Sequence, residues 1–255
     1  MLIGAHLGKG TLDHDILETD SEISQIFVSN PRGYQKPSLD ALSYIKSPNP
    51  IYIHLPFLVN PASINAEVRA KSLELIIATD KIVDPRLQGI VIHGGQGGKE
   101  STVNQAIERW VDLFEGIKFN NKLLIENTAG GNAAPGKSIN THIELVQRLS
   151  KNNKIGICYD TCHSFASGTE SFLEDLESYK TDIGEVDLIH LNDSKDKHHS
   201  NRDRHELLGQ GEVGLERIIS LVKVAEKDNI NIILETPGNN SIWNSEIKMI
   251  KKYLA

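Results

Sequence analysis

Eight short apolar runs punctuate the chain: LIGAHL (2–7), ISQIFVS (23–29), PIYIHLP (50–56), GIVIHGG (89–95), KLLIENT (122–128), KIGICYDT (154–161), VDLIHLND (186–193) and INIILETP (230–237). Each is rich in Ile, Leu or Val and ends in polar, Gly or Pro residues. Continuous apolar runs of this length fit strands buried on both faces of a parallel sheet. Between the runs the period changes. Residues 101–117 place Val103, Ala106, Ile107, Trp110, Val111 and Phe114 on one stripe of a 3.6-residue helix. Leu215, Ile218, Ile219, Val222 and Ala225 repeat the stripe over 215–225, and Ile247, Ile250 and Leu254 mark a closing helix over 241–254.

Strand and helix patterns alternating eight times predict a parallel sheet with helices outside it. Eight such units in 255 residues match a single (β/α)8 TIM barrel, an α/β fold, with residues 1–255 forming one domain. An open doubly wound sheet is the alternative, but no GxGxxG turn follows the first run. One connection departs from the rhythm. Residues 194–213, SKDKHHSNRDRHELLGQGEV, hold little apolar content. A loop this long is usually functional or disordered, and its Asp, His and Arg residues make function the expectation.

Composition narrows the picture. The chain is 39% hydrophobic and 24% charged, an ordinary balance for a globular protein with a sizeable core. Its net charge of -7 argues, taken alone, against binding a phosphate backbone through Lys and Arg. Two cysteines, Cys158 and Cys162, make no disulfide framework and are expected to be plain barrel-wall residues in a reducing compartment. No signal-peptide pattern opens the sequence and no long apolar run interrupts it. A cytoplasmic or nucleoid-associated protein with no membrane partner is expected.

Active sites of TIM barrels gather at the C-terminal ends of the strands. Read there, the runs supply His54, His93, Glu126, Asp160, His190 and Glu235, with His163 one helical turn beyond Asp160. The 194–213 loop adds Asp203 and His205. Successive strand-end groups lie 30 to 45 residues apart, about one βα unit each. Six strands thereby bring five His and four carboxylates to one rim. Converging carboxylates repel one another and protonate unless a cation relieves them. Neutral His with Asp and Glu is a donor set for zinc, manganese or iron. Nine donors exceed one tetrahedral ion and suffice for three if one carboxylate bridges. His6, at the end of the first run, is read as a supporting residue rather than a ligand. His14, His142, His198 and His199 have no strand-end placement and are read as surface residues.

The segments IHLPFLVN, VIHGG, IENTAGG, YDTCHSFASG, HLNDSK, DRH and LETPG, in this order, resemble the landmarks of the endonuclease IV family of abasic-site endonucleases. The resemblance covers nearly the whole chain, and DTCHSFASG and HLNDSK with DRH are its specific parts. It implies a TIM barrel with three Zn2+, one position of which could take Mn or Fe. His54, His93 and Glu126 would hold one ion. Glu126 would bridge to a second, completed by Asp160, His190 and Glu235. His163, Asp203 and His205 would hold the third. Glu126, Asp160 and Glu235 are then the catalytic carboxylates. The implied partner is duplex DNA containing abasic sites, hydrolysed 5′ to the lesion to leave a 3′-hydroxyl, in base excision repair; a monomer is the default expectation, because a DNA-facing rim leaves no obvious symmetric patch. Arg32, Phe57 and Arg204 are the implied DNA contacts. Three Zn2+ would add +6 to -7, leaving about -1, with the positive charge concentrated at the rim.

The chain departs from the family where HPG is common and His93-Gly94-Gly95 stands, and where a Tyr is frequent and Phe57 stands. It also looks somewhat short, which bears on the grip of its DNA-recognition loops. A divalent-metal sugar isomerase or epimerase on the same barrel is the alternative reading. It would need fewer ligands and would leave DRH unexplained. A non-catalytic barrel that binds damaged DNA or metal is a further one.

Overall fold

The computed structural model of the protein describes residues 1–255. Eight parallel strands close into a barrel: β1 (Ile3–His6), β2 (Ile23–Phe27), β3 (Ile51–His54), β4 (Leu87–His93), β5 (Leu123–Glu126), β6 (Ile155–Asp160), β7 (Leu188–His190) and β10 (Asn231–Leu234). Strands β8 (Asp193–Ser194) and β9 (His205–Glu206) form a separate antiparallel pair above β7. The helices are α1 (Leu12–Thr19), α2 (Ala66–Asp80), α3 (Val103–Phe114), α4 (Ile139–Ser150), α5 (Thr161–Ser167), α6 (Phe172–Asp182), α7 (Leu215–Lys227) and α8 (Asn240–Leu254). Each of the eight apolar runs forms one barrel strand, and the fold is the TIM barrel expected from the sequence.

Side chains on a strand alternate between faces, and here the alternation sorts two cores. Ala5, Ile53, Ile92, Ile125, Tyr159, Ile189 and Leu234 join the main core, which packs beneath the helices. Their neighbours Ile23, Tyr52, Val91, Leu124, Cys158, Leu188 and Ile233 form a second core inside the barrel. Each belongs to a different strand. On β1 the equivalent position is Gly4, where a Cβ would lie 1.6 Å from the Ile23 carbonyl oxygen, so the lumen leaves no room for a side chain.

Three expectations need correction. Strand and helix do not alternate evenly. No helix joins β2 to β3, and both α5 and α6 lie between β6 and β7. Residues 28–50 carry Pro31, Pro37, Pro48 and Pro50, which remove backbone donors and interrupt helical φ/ψ runs. Cys158 lies in the barrel, but Cys162 is buried on α5, outside the wall. His142 is not a surface residue. It is fully buried on α4, with Nδ1 2.7 Å from the Tyr179 hydroxyl of α6.

The two ends of residues 194–213 are tied together by one side chain, Asp193. Asp193 is fully buried, and its Oδ1 accepts from the amides of Ser194 (2.8 Å) and Val213 (2.9 Å). Its Oδ2 accepts from Gly209 (2.9 Å) and Gly211 (3.1 Å). A Cβ on Gly211 would meet Asp193 Oδ1 at 2.4 Å, so the loop approaches too closely for any other residue there. Glu246 of α8 clamps the far side, accepting from Leu208 N at 2.8 Å.

Candidate metal centre

Two residues beyond the lumen layer, the same strand faces present a second ring. Ile23 is followed by Gln25, Tyr52 by His54, Val91 by His93, Leu124 by Glu126, Cys158 by Asp160, Leu188 by His190 and Ile233 by Glu235. Gly4 is followed by His6. A strict period of two therefore puts an apolar ring below and a polar ring above, one residue per strand. All eight strands contribute, where the sequence reading counted six.

Glu126 sits at the middle of the ring and is fully buried. Its Oε2 lies 3.2 Å from His54 Nε2 and 3.1 Å from His93 Nε2. Its Oε1 lies 3.2 Å from His163 Nδ1 and 3.2 Å from His190 Nδ1. His190 Nδ1 is also 3.2 Å from Glu235 Oε2. A second knot forms around Asp203. Its Oδ2 lies 3.1 Å from His163 Nε2 and its Oδ1 3.1 Å from His205 Nε2. Asp160 Oδ2 lies 3.7 Å from His205 Nε2 and joins the two knots. None of these four carboxylates pairs with a lysine or arginine. The structure thus brings all nine ring and loop donors together.

Glu126, Asp160, His190 and Glu235 present donor atoms all within 4.8 Å of one another, as do His54, Glu126 and His190, and Asp160, His163 and His205. The thiol of Cys162 lies equally close to Asp203 and His205. The Nε2 atoms of His163 and His205 are shielded from solvent and, although each lies 3.1 Å from an Asp203 oxygen, make no well-aligned hydrogen bond. These poorly aligned imidazole nitrogens, the carboxylates without a Lys or Arg partner and the N/O donor chemistry fit divalent cations.

The electrostatics agree. Burial pushes the Glu126 carboxyl up, but His93, His190 and His163 outweigh it and hold the group well below its ordinary range. Glu235 is lowered in the same way: His190 overrides burial. Burial lowers the His190 and His205 imidazoles, yet the surrounding carboxylates raise each to about 9. His163 is raised well above its ordinary value for the same reason. Among the five donor imidazoles only His54 is lowered, because burial dominates there. The ring is a deep negative potential that gathers positive charge.

The side chains that hold the donors in place escaped the sequence reading. Asn127 Oδ1 accepts from Asp160 N at 2.7 Å, and its Nδ2 donates to Asp160 O at 2.9 Å. Asn192 Nδ2 donates to Asp160 Oδ2 at 2.7 Å, and its Oδ1 accepts from Glu235 N at 3.0 Å. Asp160 also caps α5, accepting from His163 N at 2.6 Å. The signal available was position: both asparagines directly follow or nearly follow a strand-end ligand, in IENT and HLND.

Of the three residues that the resemblance implies as DNA contacts, Arg32 and Phe57 lie on adjoining loops, where Phe57 N donates to Pro31 O at 3.1 Å, and Arg204 lies on the β8–β9 hairpin. Phe57 is 55% exposed on the β3–α2 loop, its ring 6.1 Å from that of His54 and 6.0 Å from that of His93. It divides a cavity of about 300 Å³ beside His93 and Thr128 from one of about 450 Å³ beside Phe27 and Trp243. Arg32 is exposed on the β2–β3 connection. Arg204 is half exposed, and its guanidinium is bonded to Asp196 on the same hairpin, Nε to Oδ2 at 2.6 Å.

A closed parallel barrel with a cluster of His and carboxylate donors at its C-terminal rim defines a class, and residues 32–253 match the family model described as a xylose isomerase-like TIM barrel. Within that class, the chain is 34% identical over 228 residues to the probable endonuclease 4 of Mycobacterium leprae, covering 88% of this chain and 90% of that protein. It is 31% identical over 254 residues to the probable endonuclease 4 of Mycobacterium tuberculosis, covering 94% and 100%. The crystal structure of endonuclease IV from Thermus thermophilus superposes with a TM-score of 0.81 at 25% identity, covering 100% of this chain and 99% of that one. The chain belongs to the endonuclease IV family. D-allulose 3-epimerase from Methylomonas sp., with a TM-score of 0.68 at 12% identity over 99% and 97% of the chains, shares the fold alone. No helix is long and apolar enough to cross a membrane.

Proposed function

We propose that the protein is a DNA repair endonuclease that hydrolyses the phosphodiester 5′ to abasic sites in duplex DNA, leaving a 3′-hydroxyl, with three zinc ions in the rim. The observation that carries this reading is the donor set. Five imidazoles and four carboxylates share one rim with no basic side chain among the carboxylates. Monosaccharide chemistry on this barrel would need fewer donors and gives no role to Asp203 and His205.

The ligand groups are His54, His93 and Glu126; Glu126, Asp160, His190 and Glu235; and His163, Asp203 and His205. The ions supply Lewis acidity toward the phosphoryl oxygens and make hydroxide available at neutral pH. The protein's part is position. Glu126 uses both oxygens, each facing two imidazoles, which suits it to bridge. Asp160 is held at its backbone by Asn127 and at its carboxylate by Asn192 and the His163 amide. Phe57 offers an apolar face beside the ring, fitted to the gap where a base is missing. A sugar without its base leaves the stack at lower cost, so it reaches the rim more readily than an intact nucleotide. Arg32 and, once released from Asp196, Arg204 are placed to meet the backbone.

The test is a labelled duplex with one abasic analogue, incubated with protein before and after prolonged chelation, with metal content measured on the same sample. Cleavage 5′ to the lesion that disappears as about three zinc ions are stripped, as the donor count implies, is the expected outcome. A fully metallated protein that leaves the duplex intact removes the nuclease reading. Glu126→Gln is expected to reduce zinc content and rate together.

A further inference from the structure

Three of the donor imidazoles are oriented by backbone carbonyls. His54 Nδ1 lies 2.6 Å from Leu55 O, His163 Nδ1 2.9 Å from Asn127 O, and His205 Nδ1 3.1 Å from Glu235 O. A carbonyl only accepts, so in the neutral ring Nδ1 carries the proton and Nε2 is left as a lone pair. His190 is turned the other way. It faces the carboxylates with Nδ1, and its Nε2 meets a side chain, Gln25 Oε1, at 2.9 Å.

The Gln25 amide is itself fixed. Its Nε2 donates to Glu235 Oε1 at 2.7 Å. Flipped, the amide would set its oxygen against a carboxylate oxygen and its N–H groups against His190 Nε2. Glu235 therefore orients the amide, and the amide assigns the His190 proton to Nε2. His6 Nδ1 lies 3.0 Å from Glu235 Oε1 and 3.0 Å from Gln25 Nε2. With its outer oxygen engaged on two sides, Glu235 is left with Oε2 toward the centre. Gln25 is fully buried in the polar ring at the strand ends. An amide there brings a desolvation cost unless its hydrogen bonds are made and used.

We propose that Gln25 is a positioning residue of the metal centre: one carboxamide presents Nδ1 of His190 and Oε2 of Glu235 to a divalent cation. This rests on the metal-centre reading above. Residues that orient ligands from behind typically change metal affinity about 10–100-fold when lost, and Gln25→Leu is expected to weaken one of the bound ions by that factor.

The experiment is zinc competition against a chromophoric chelator for the wild type and Gln25→Leu, with long-range 1H–15N spectra of the histidine rings. The wild type is expected to show His190 protonated on Nε2, and the variant to lose that signature and release one ion early. Equal zinc affinity in a folded Gln25→Leu protein overturns the proposal. If that variant does not fold, the wild-type spectrum still decides, because a His190 protonated on Nδ1 in the zinc-loaded protein overturns it alone. A wild type that binds zinc but does not cut an abasic duplex removes the nuclease reading and leaves Gln25's role standing. One that binds no zinc removes both.

Discussion

Asp193 has no basic partner, yet its carboxylate is buried and satisfied by four backbone amides. Its loop carries Asp203 and His205, so a residue outside the donor ring helps to fix the segment on which two of the nine donors stand. In Asp193→Asn the new amide group can no longer accept at one of the two positions, and buried donors lose their partners at about 1–3 kcal/mol each. The loop is expected to loosen while the barrel stays folded. Hydrogen exchange should accelerate across residues 195–213 and remain slow in β4–β6. Unchanged exchange in the loop would show that the hairpin and the Glu246 clamp suffice without Asp193.

Among the elements, α4 and α6 meet behind β5 and β6 through His142 and Tyr179, whose rings pack edge to face at 5.6 Å. Burial lowers the His142 imidazole to about 4. In the unfolded chain it returns to about 6.5. Above pH 6.5 the ring is neutral in both states and its contribution is complete. Between about 6.5 and about 4 the unfolded chain binds a proton that the folded protein does not, so stability falls as pH falls. The loss approaches roughly 3 kcal/mol from this group. Relative to His142→Gln, in which the raised donor imidazoles are unchanged, the metal-free protein should therefore lose about 2 kcal/mol of stability to thermal unfolding from pH 7.5 to 5 through this site. Parallel pH curves for the two proteins would refute the assignment. The spacing of Ile139, His142, Ile143 and Val146 does mark an α4 stripe in the sequence, which reading His142 as a surface residue misses, but its partner Tyr179 lies 37 positions away and only packing reveals it.

At the scale of the molecule, a chain of charge -7 is by itself a poor polyanion ligand. The three Zn2+ proposed above would bring +6, and most of the positive field facing DNA would then belong to the ions rather than to side chains. Fluorescence anisotropy with an abasic duplex at ~50 mM salt should show binding weakened by an order of magnitude or more after chelation. The salt dependence of the metallated protein should be shallow, because few Lys or Arg side chains displace counterions. Equal affinity with and without metal would shift the grip to Arg32, Arg204 and the other surface cations.

The period of the chain determined the fold. Eight apolar runs and intervening helical stripes encode which segments are strands, and strand-end position marked His54, His93, Glu126, Asp160, His190 and Glu235 as neighbours before any geometry was known. That was possible because β-strand alternation and barrel closure are local rules repeated eight times. What the tertiary structure decided is everything that depends on packing between distant segments. The buried Gln25, Asn127, Asn192 and Asp193 look like ordinary polar residues in one dimension. Their partners lie 16 to 210 positions away, apart from Ser194 beside Asp193. Hydrogen bonds across such separations exist only once the barrel has closed, so no short window of sequence contains both ends of them.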